Sequence, residues 1–261
     1  MGELEGKIAF VTGAGGYIGS AVARTLAREG AKVAVCDIRE EFMQKTVDEI
    51  LAAGGEAIAV GADVTDSASV DAAVARVAEV FGGLDISVHV AGGSARVAGP
   101  DTKMTFLVDR EDYVIDRVLK INLYGAIYVS RAAARQMIAQ GRGGRIINFA
   151  SVVGVNGLRK SSEYAAAKGG VIAFTKALAK EVGQYHITAN TVAPGVVKRP
   201  GEPGYNSDRA YKTNFLGEKC TAQDVADLVE FVASPRAHFI TGQNCIVDGG
   251  RSLAMRGSEL D

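Results

Sequence analysis

Apolar residues along this 261-residue chain fall into two rhythms that alternate from one end to the other. Short continuous apolar runs, rich in β-branched residues, occupy 7–11, 32–36, 56–60, 86–90, 145–149, 187–193 and 244–247. Runs of this kind mark strands buried on both faces. Between them, residues 18–28, 42–52, 70–81, 113–139 and 163–182 repeat their apolar positions at helical spacing. Crossovers between parallel strands are right-handed and carry the chain back over the sheet. The alternation therefore predicts an α/β fold, a parallel sheet of about seven strands with helices on both faces. Two stretches break the rhythm, 92–109 and 196–219, the second holding Pro200 and Pro203. Loops of that length in a compact domain are usually functional or mobile.

No repeat, low-complexity tract or linker divides the chain, so residues 1–261 read as one domain. A cofactor half would cover about 1–120, and a catalytic and substrate part about 121–261. A hydrophobic content of 48% and 32 glycines suit a globular α/β protein with many tight turns. With 29 basic against 30 acidic side chains the net charge is -1, leaving no overall field to attract nucleic acid or an anionic membrane. Cys36, Cys220 and Cys245 are odd in number and widely spaced, which argues against a disulfide framework and against a metal site. A reducing cytoplasm is the simplest compartment. The opening MGELEGKIAFVTG lacks the basic flank of a signal peptide, and no apolar run is long enough to span a bilayer.

Candidate chemistry begins where the first strand ends, at Thr12, Gly13, Ala14, Gly15, Gly16, Tyr17, Ile18 and Gly19. Glycines there let the backbone turn sharply and approach a pyrophosphate, whose charge the following helix N-terminus would meet. Asp37 closes the second strand, where a carboxylate can bond the adenosine ribose hydroxyls and repel a 2′-phosphate. That favours NAD over NADP, although Arg39 lies close by; a helix N-cap or a solvated strand end is the plainer reading of Asp37. Asp63, beside Val64, is either a contact for the adenine edge or the start of a turn. Gly92 and Gly93 end the fourth strand, leaving room for a flat cofactor or simply making a turn.

Four residues along a helix put Tyr164 and Lys168 on one face. A tyrosine with the ordinary pKa of about 10 is a poor base near neutrality, but an adjacent ammonium favours the phenolate. Lys168, helped by an oxidised nicotinamide, is therefore expected to lower the Tyr164 pKa and make it a general acid and base. Ser151 follows the strand ending at Phe149, at the sheet edge where such folds place ligands, and its hydroxyl suits a substrate oxygen.

With these residues in order, the chain resembles the short-chain dehydrogenase/reductase family in its compact single-domain branch. The likeness covers roughly residues 4–250 and rests on several motifs. They are the glycine turn, Asp63-Val64, Ile121-Asn122, Ser151, the YxxxK at Tyr164 to Lys168, Asn190 before Pro194-Gly195, and Asp248-Gly249-Gly250. The resemblance implies a Rossmann-type doubly wound sheet and a catalytic tetrad. In it Tyr164 donates or accepts the proton, Ser151 positions the carbonyl or hydroxyl, Lys168 holds the nicotinamide ribose, and Asn122 anchors a relay water; from the residues alone Asn122 reads instead as a helix irregularity, because its amide competes with backbone bonds. It also implies cofactor contacts at Ala91, Gly92, Pro194, Gly195 and Val197, and a homo-oligomer, most often a tetramer.

Three departures from the family pattern stand out. Tyr17 replaces a turn glycine, where its phenol would cap a phosphate or fill space. His89 and Val90 replace two asparagines, and His89 reads as a satisfied buried histidine. Arg199 stands where a threonine usually contacts the nicotinamide amide. The irregular segments carry Arg96, Lys103, Lys198, Arg199, Arg209, Lys212 and Lys219, which favours a polar or anionic substrate if they are not simply solvated. Met104, Phe106, Tyr205, Tyr211, Phe215 and Leu216 offer a more apolar lining. The expectation is an NAD-dependent dehydrogenase acting on a secondary alcohol or its ketone, of the sugar-derived or hydroxy-acid kind. The alternatives are a 3-oxoacyl thioester reductase and a non-catalytic NAD sensor.

Overall fold

The computed structural model describes residues 2–99, 101–197, 199, 201 and 214–253. Lys198, Pro200, Pro203, Tyr205, Arg209, Tyr211 and Lys212 lie outside the described residues. The seven strands are β1 (Ile8–Thr12), β2 (Lys32–Asp37), β3 (Glu56–Gly61), β4 (Ile86–His89), β5 (Gly144–Phe149), β6 (Ile187–Pro194) and β7 (Asn244–Val247). All pairings are parallel, in the order β3-β2-β1-β4-β5-β6-β7. Each predicted run becomes a strand, with bounds moved by a residue at most.

Alternation along each strand builds two cores. Successive side chains point to opposite faces, so Val33 and Val35 enter one core while Ala34 and Cys36 enter the other. The first core lies under α1 (Tyr17–Arg28), α2 (Glu40–Ala52) and the helix over Ala222–Ala233, the second under α3 (Ser67–Phe81), α5 (Gly125–Gln140) and α7 (Ser162–Val182). This is the doubly wound arrangement. Strand order reverses between β1 and β4, so a crevice opens at their carboxyl ends, where such sheets bind ligands.

The stretch 113–139, predicted as one helix, is three elements: α4 (Asp112–Leu119), a π-helical turn (Lys120–Tyr124) and α5. Asn122 sits in that turn, fully buried. Its side-chain amide donates to the Val118 carbonyl at 2.9 Å, the oxygen that a regular helix offers to the N–H of residue 122. The same amide reaches the Gly93 carbonyl at 2.8 Å, and its oxygen accepts from Gly93 N at 3.0 Å. A short helix, α6 (Val152–Asn156), follows β5 and comes before α7. Ala222–Ala233, which completes the set as α8, lies outside the predicted elements. Its signals are a reciprocal cap between Thr221 and Asp224 and buried Val225, Val229 and Val232 on one face. No helix among the described residues is long and apolar enough to cross a membrane, and none of their side chains cluster as metal ligands.

Candidate active site

A cavity of about 540 Å³ occupies the crevice at the ends of β1, β2 and β4. Gly13, Gly16, Tyr17, Ile18 and Gly19 form its floor, Asp37 and Arg39 one wall, Asp63 and Val64 another, and Ala91 and Gly92 the far end. Gly13 has φ +68, and a Cβ there would lie 2.7 Å from the Ala91 nitrogen. A Cβ on Gly19 would run into the Gly13 carbonyl. The turn is thus closed against the next strand by absent side chains, and it leads into α1 through Gly16, which brings no side-chain cap. Such a cradle fits the pyrophosphate of a dinucleotide.

The Asp37 carboxylate is buried and accepts three bonds from its own surroundings, which leaves acceptor capacity on the oxygen that holds only one. One oxygen accepts from Gly15 N at 3.1 Å, the other from Arg39 N at 3.1 Å and Arg39 Nε at 3.4 Å. It is not the cap of α2, whose N-cap is Arg39. Asp63 makes the turn that was one of its two readings, Oδ1 accepting from Thr65 N at 2.9 Å and Thr65 Oγ1 at 2.8 Å, and the residue also lines the cavity. Gly15 acts as a brace for Asp37 and does not line the cavity; nor do Pro194, Gly195 and Val197. Pro194 ends β6 beside Val247, Gly195 N donates to the Val247 carbonyl at 3.0 Å, and Val197 bridges to Cys220. Asn190 pins the turn before β7 through Ile240 O at 2.7 Å and Gln243 N at 3.0 Å.

The chemical end adjoins the cavity at Gly92. A Cβ there would collide with Asn122 Oδ1 and lie 3.3 Å from Lys168 Nζ. Tyr164 packs against Ala95, Val114, Val118 and Ala167, with the Lys168 ammonium 5.8 Å from its ring centroid. Lys168 Nζ donates to the Phe149 carbonyl at 2.7 Å. Ser151, buried after β5, caps α6 by accepting from Val153 N at 3.2 Å, and its hydroxyl also acts on the Tyr164 phenol. None of Ser151, Tyr164, Lys168 and Asn122 lines the nucleotide cavity itself.

Among the protein's own groups, burial works against the expected acidification of Tyr164. Burial raises the Tyr164 pKa, and the Ser151 hydrogen bond, which lowers it, does not outweigh that. Burial also holds Lys168 down, at about 7, so the ammonium expected to acidify the phenol is itself costly to charge. His89 is driven down to about 3 by burial and then by Lys168; neutral and buried, it is satisfied on one side only, with Nδ1 2.8 Å from Thr12 Oγ1 and Nε2 without a hydrogen-bond partner.

Tyr17 and Arg199, two departures from the family pattern, meet across the cavity with the guanidinium 5.9 Å from the ring centroid. Arg96, expected at the substrate loops, lines the same cavity, whereas Lys103 is solvent-exposed. Met104, Phe106, Phe215 and Leu216 are exposed apolar residues. Arg117 also lines the cavity and was not among the expected residues, because a lone cation on a helix carries no binding signal; Ile121, expected only as part of the Ile121-Asn122 motif, lines it too. Likewise unsignalled is a buried ion pair between Arg110 and Glu163.

Comparison with known proteins identifies the family. A family model described as Enoyl-(Acyl carrier protein) reductase matches residues 13–252. Over 255 residues the chain is 39% identical to the Short-chain reductase protein NovJ of Streptomyces niveus, covering 94% of each chain. It is 36% identical over 266 residues to the Sorbitol dehydrogenase of Cereibacter sphaeroides, covering 97% of this chain and all of that one. A crystal structure of a short-chain type dehydrogenase/reductase from Mycobacterium marinum superposes with a TM-score of 0.86 at 32% identity, over 96% of this chain and 97% of that one. Sheet order, nucleotide cradle and relatives matched along nearly their whole length lead to one assignment: the chain belongs to the short-chain dehydrogenase/reductase family of oxidoreductases.

Proposed function

We propose that this chain is an NAD-dependent oxidoreductase interconverting a secondary alcohol and its ketone, with Tyr164 as the group that gives and takes the proton. The observation that carries the reading is the convergence of Ser151, Tyr164 and Lys168 beside Gly92, where the nucleotide cavity ends. When bound, the nicotinamide supplies the hydride acceptor or donor and, oxidised, a positive charge that favours the phenolate. Burial keeps the phenol protonated, ready to donate to a carbonyl oxygen during reduction. Ser151 positions that oxygen through its hydroxyl.

Lys168 commits one N–H to Phe149 and keeps two donors for the nicotinamide ribose. Asn122 has its side chain committed to Gly93 and Val118, so a relay water would be held by backbone that the π-helical turn frees. Asp37 would take the adenosine ribose hydroxyls, Asp63 and Val64 the adenine edge, and the turn from Gly13 to Gly19 the pyrophosphate. Pro194, Gly195 and Val197 would approach the nicotinamide.

A polar or anionic substrate, sugar-derived or a hydroxy acid, is supported by Arg96 and Arg199 on the cavity wall and by the likeness to a sorbitol dehydrogenase. A second reading, reduction of a 3-oxoacyl thioester with NADPH, draws support from Arg39, which lines the cavity beside Asp37 and stacks on Phe42 at 4.5 Å. Screening polyols, sugar acids, hydroxy acids and a 3-oxoacyl thioester with both cofactors, by absorbance of the reduced nicotinamide, separates them. NAD-linked oxidation of a hydroxy compound is expected; NADPH-linked thioester reduction alone would establish the second reading. We also propose a homotetramer in the cytoplasm, supported by the exposed apolar Phe239 and Ile246 and by three free cysteines.

A further inference from the structure

Arg110 lies outside every family motif, yet its side chain and that of Glu163 are each only 2% exposed. Nη1 donates to the Lys103 carbonyl at 2.8 Å, and Nη2 to the Thr105 and Lys160 carbonyls at 3.4 and 3.3 Å. Nη2 also lies 3.2 Å from Glu163 Oε1, a charge contact without the alignment of a hydrogen bond. One guanidinium therefore joins three pieces of chain: the segment before α4, the turn before α7, and the first turn of α7, where Glu163 directly precedes Tyr164.

That first turn lacks its usual fastening. Ser161 is the N-cap of α7 but makes no capping bond, and its hydroxyl is buried without a partner. Lys160 holds a left-handed backbone at φ +67, a conformation that persists only where surroundings enforce it. The Arg110 hydrogen bond to the Lys160 carbonyl and its charge contact with Glu163 supply that enforcement. Arg159 and Lys160 each stack a cation on Phe106 at 4.9 Å, closing the same two segments from outside. On the inner side, α4 begins two residues after Arg110 and sends Val114 and Val118 against the Tyr164 ring.

We infer that Arg110, through Glu163, is a positioning residue that fixes where the Tyr164 hydroxyl stands relative to Lys168 and the Gly92 end of the cavity. The inference rests on the reading of Tyr164 as the proton-handling group. A buried ion pair is a useful test object, because losing one partner strands a charge whereas replacing both with apolar residues is often neutral for stability. A purely structural pair and a positioning pair then part company in the double variant.

Wild type, Arg110→Met, Arg110→Lys and Arg110→Met/Glu163→Leu would be compared for Tm, NAD Kd by titration calorimetry, and kcat and KM on the substrate found for wild type. Arg110→Met should lower Tm and lower kcat roughly 10- to 100-fold, the scale on which a misplaced reacting group acts, with NAD Kd and KM within about twofold. The double variant should recover Tm but not kcat, and Arg110→Lys should fall between. Recovery of kcat together with Tm, or a folded Arg110→Met with wild-type kcat, overturns the proposal. Amide exchange across residues 158–168 in Arg110→Lys gives a readout independent of turnover and of the double variant's folding: faster exchange is expected, and unchanged protection overturns the proposal. If wild type oxidised no alcohol at all, the proposed dehydrogenase function would fail, while the exchange measurement would still decide whether Arg110 holds that turn.

Discussion

Proton affinity at the site is set by burial before it is set by neighbouring charge. Lys168 shows this most plainly, because its ammonium is desolvated within the core and held at about 7 against an ordinary 10.5. The unfolded chain then binds a proton at this position more readily than the folded one between those two values. Folded stability contributed by this side chain therefore rises with pH across that window, and the charging burden is fully present below it. Tm of wild type minus Tm of Lys168→Met should increase from pH 7 towards pH 10; a flat or falling difference would show that the ammonium is not desolvated. The sequence makes Tyr164 and Lys168 legible because four residues on a helix bring them to one face whatever the tertiary structure. It cannot show which way burial moves them, since desolvation depends on Ala95, Val114 and Val118 closing over the ring from other elements. Arg110 and Glu163 were illegible for a related reason: distant in sequence, each looks like an ordinary surface charge until the fold buries both.

Helix breaks and tight turns are where side chains outside the apolar pattern decide local structure. Asn122 converts one long periodic stretch into α4, a π-helical turn and α5, and at the same time staples Gly93 at the edge of the cavity. Periodicity alone gives no sign of such a break, because one buried amide among apolar neighbours leaves the spacing intact. Asn122→Ala deletes three hydrogen bonds and should cost about 2–4 kcal/mol in urea unfolding, at net values near 1 kcal/mol each. It should weaken NAD binding as well, since the Gly92 end of the cradle loses its brace; unaltered stability would mean that the π-helical turn does not depend on this amide. Gly13→Ala is a sharper case. A side chain at φ +68 facing Ala91 N at 2.7 Å should destabilise by several kcal/mol, of the order that strain and overpacking together produce, and should abolish NAD binding by titration calorimetry. α8 was not among the predicted elements, although Thr221 and Asp224 and the spacing of Val225, Val229 and Val232 carry its signal, because they follow a long irregular segment.

At the scale of the molecule, alternation of strand and helix anticipates the parallel sheet, and right-handed crossovers narrow its topology, but neither fixes which strands are neighbours. The β1–β4 junction is visible only in the fold, and it is what brings the Gly13 turn against Ala91 and the cavity against Gly92. β7 leaves an edge at which Ile246 is exposed, and nearby Phe239 is 93% exposed. If these residues face other copies of the chain, Phe239→Asp should shift the mass seen by light scattering from tetramer towards smaller species, and wild type running as a monomer would contradict the proposed assembly. The central claim concerns the phenol at the cavity end. Its most direct test is Tyr164→Phe, which removes one oxygen and leaves the ring packing in place, with turnover of the secondary alcohol and NAD affinity measured on the same preparation. A fall in kcat of roughly 10²- to 10⁴-fold, the range of a lost general acid and base, is expected, with NAD Kd essentially unchanged. Turnover within a few-fold of wild type would contradict it.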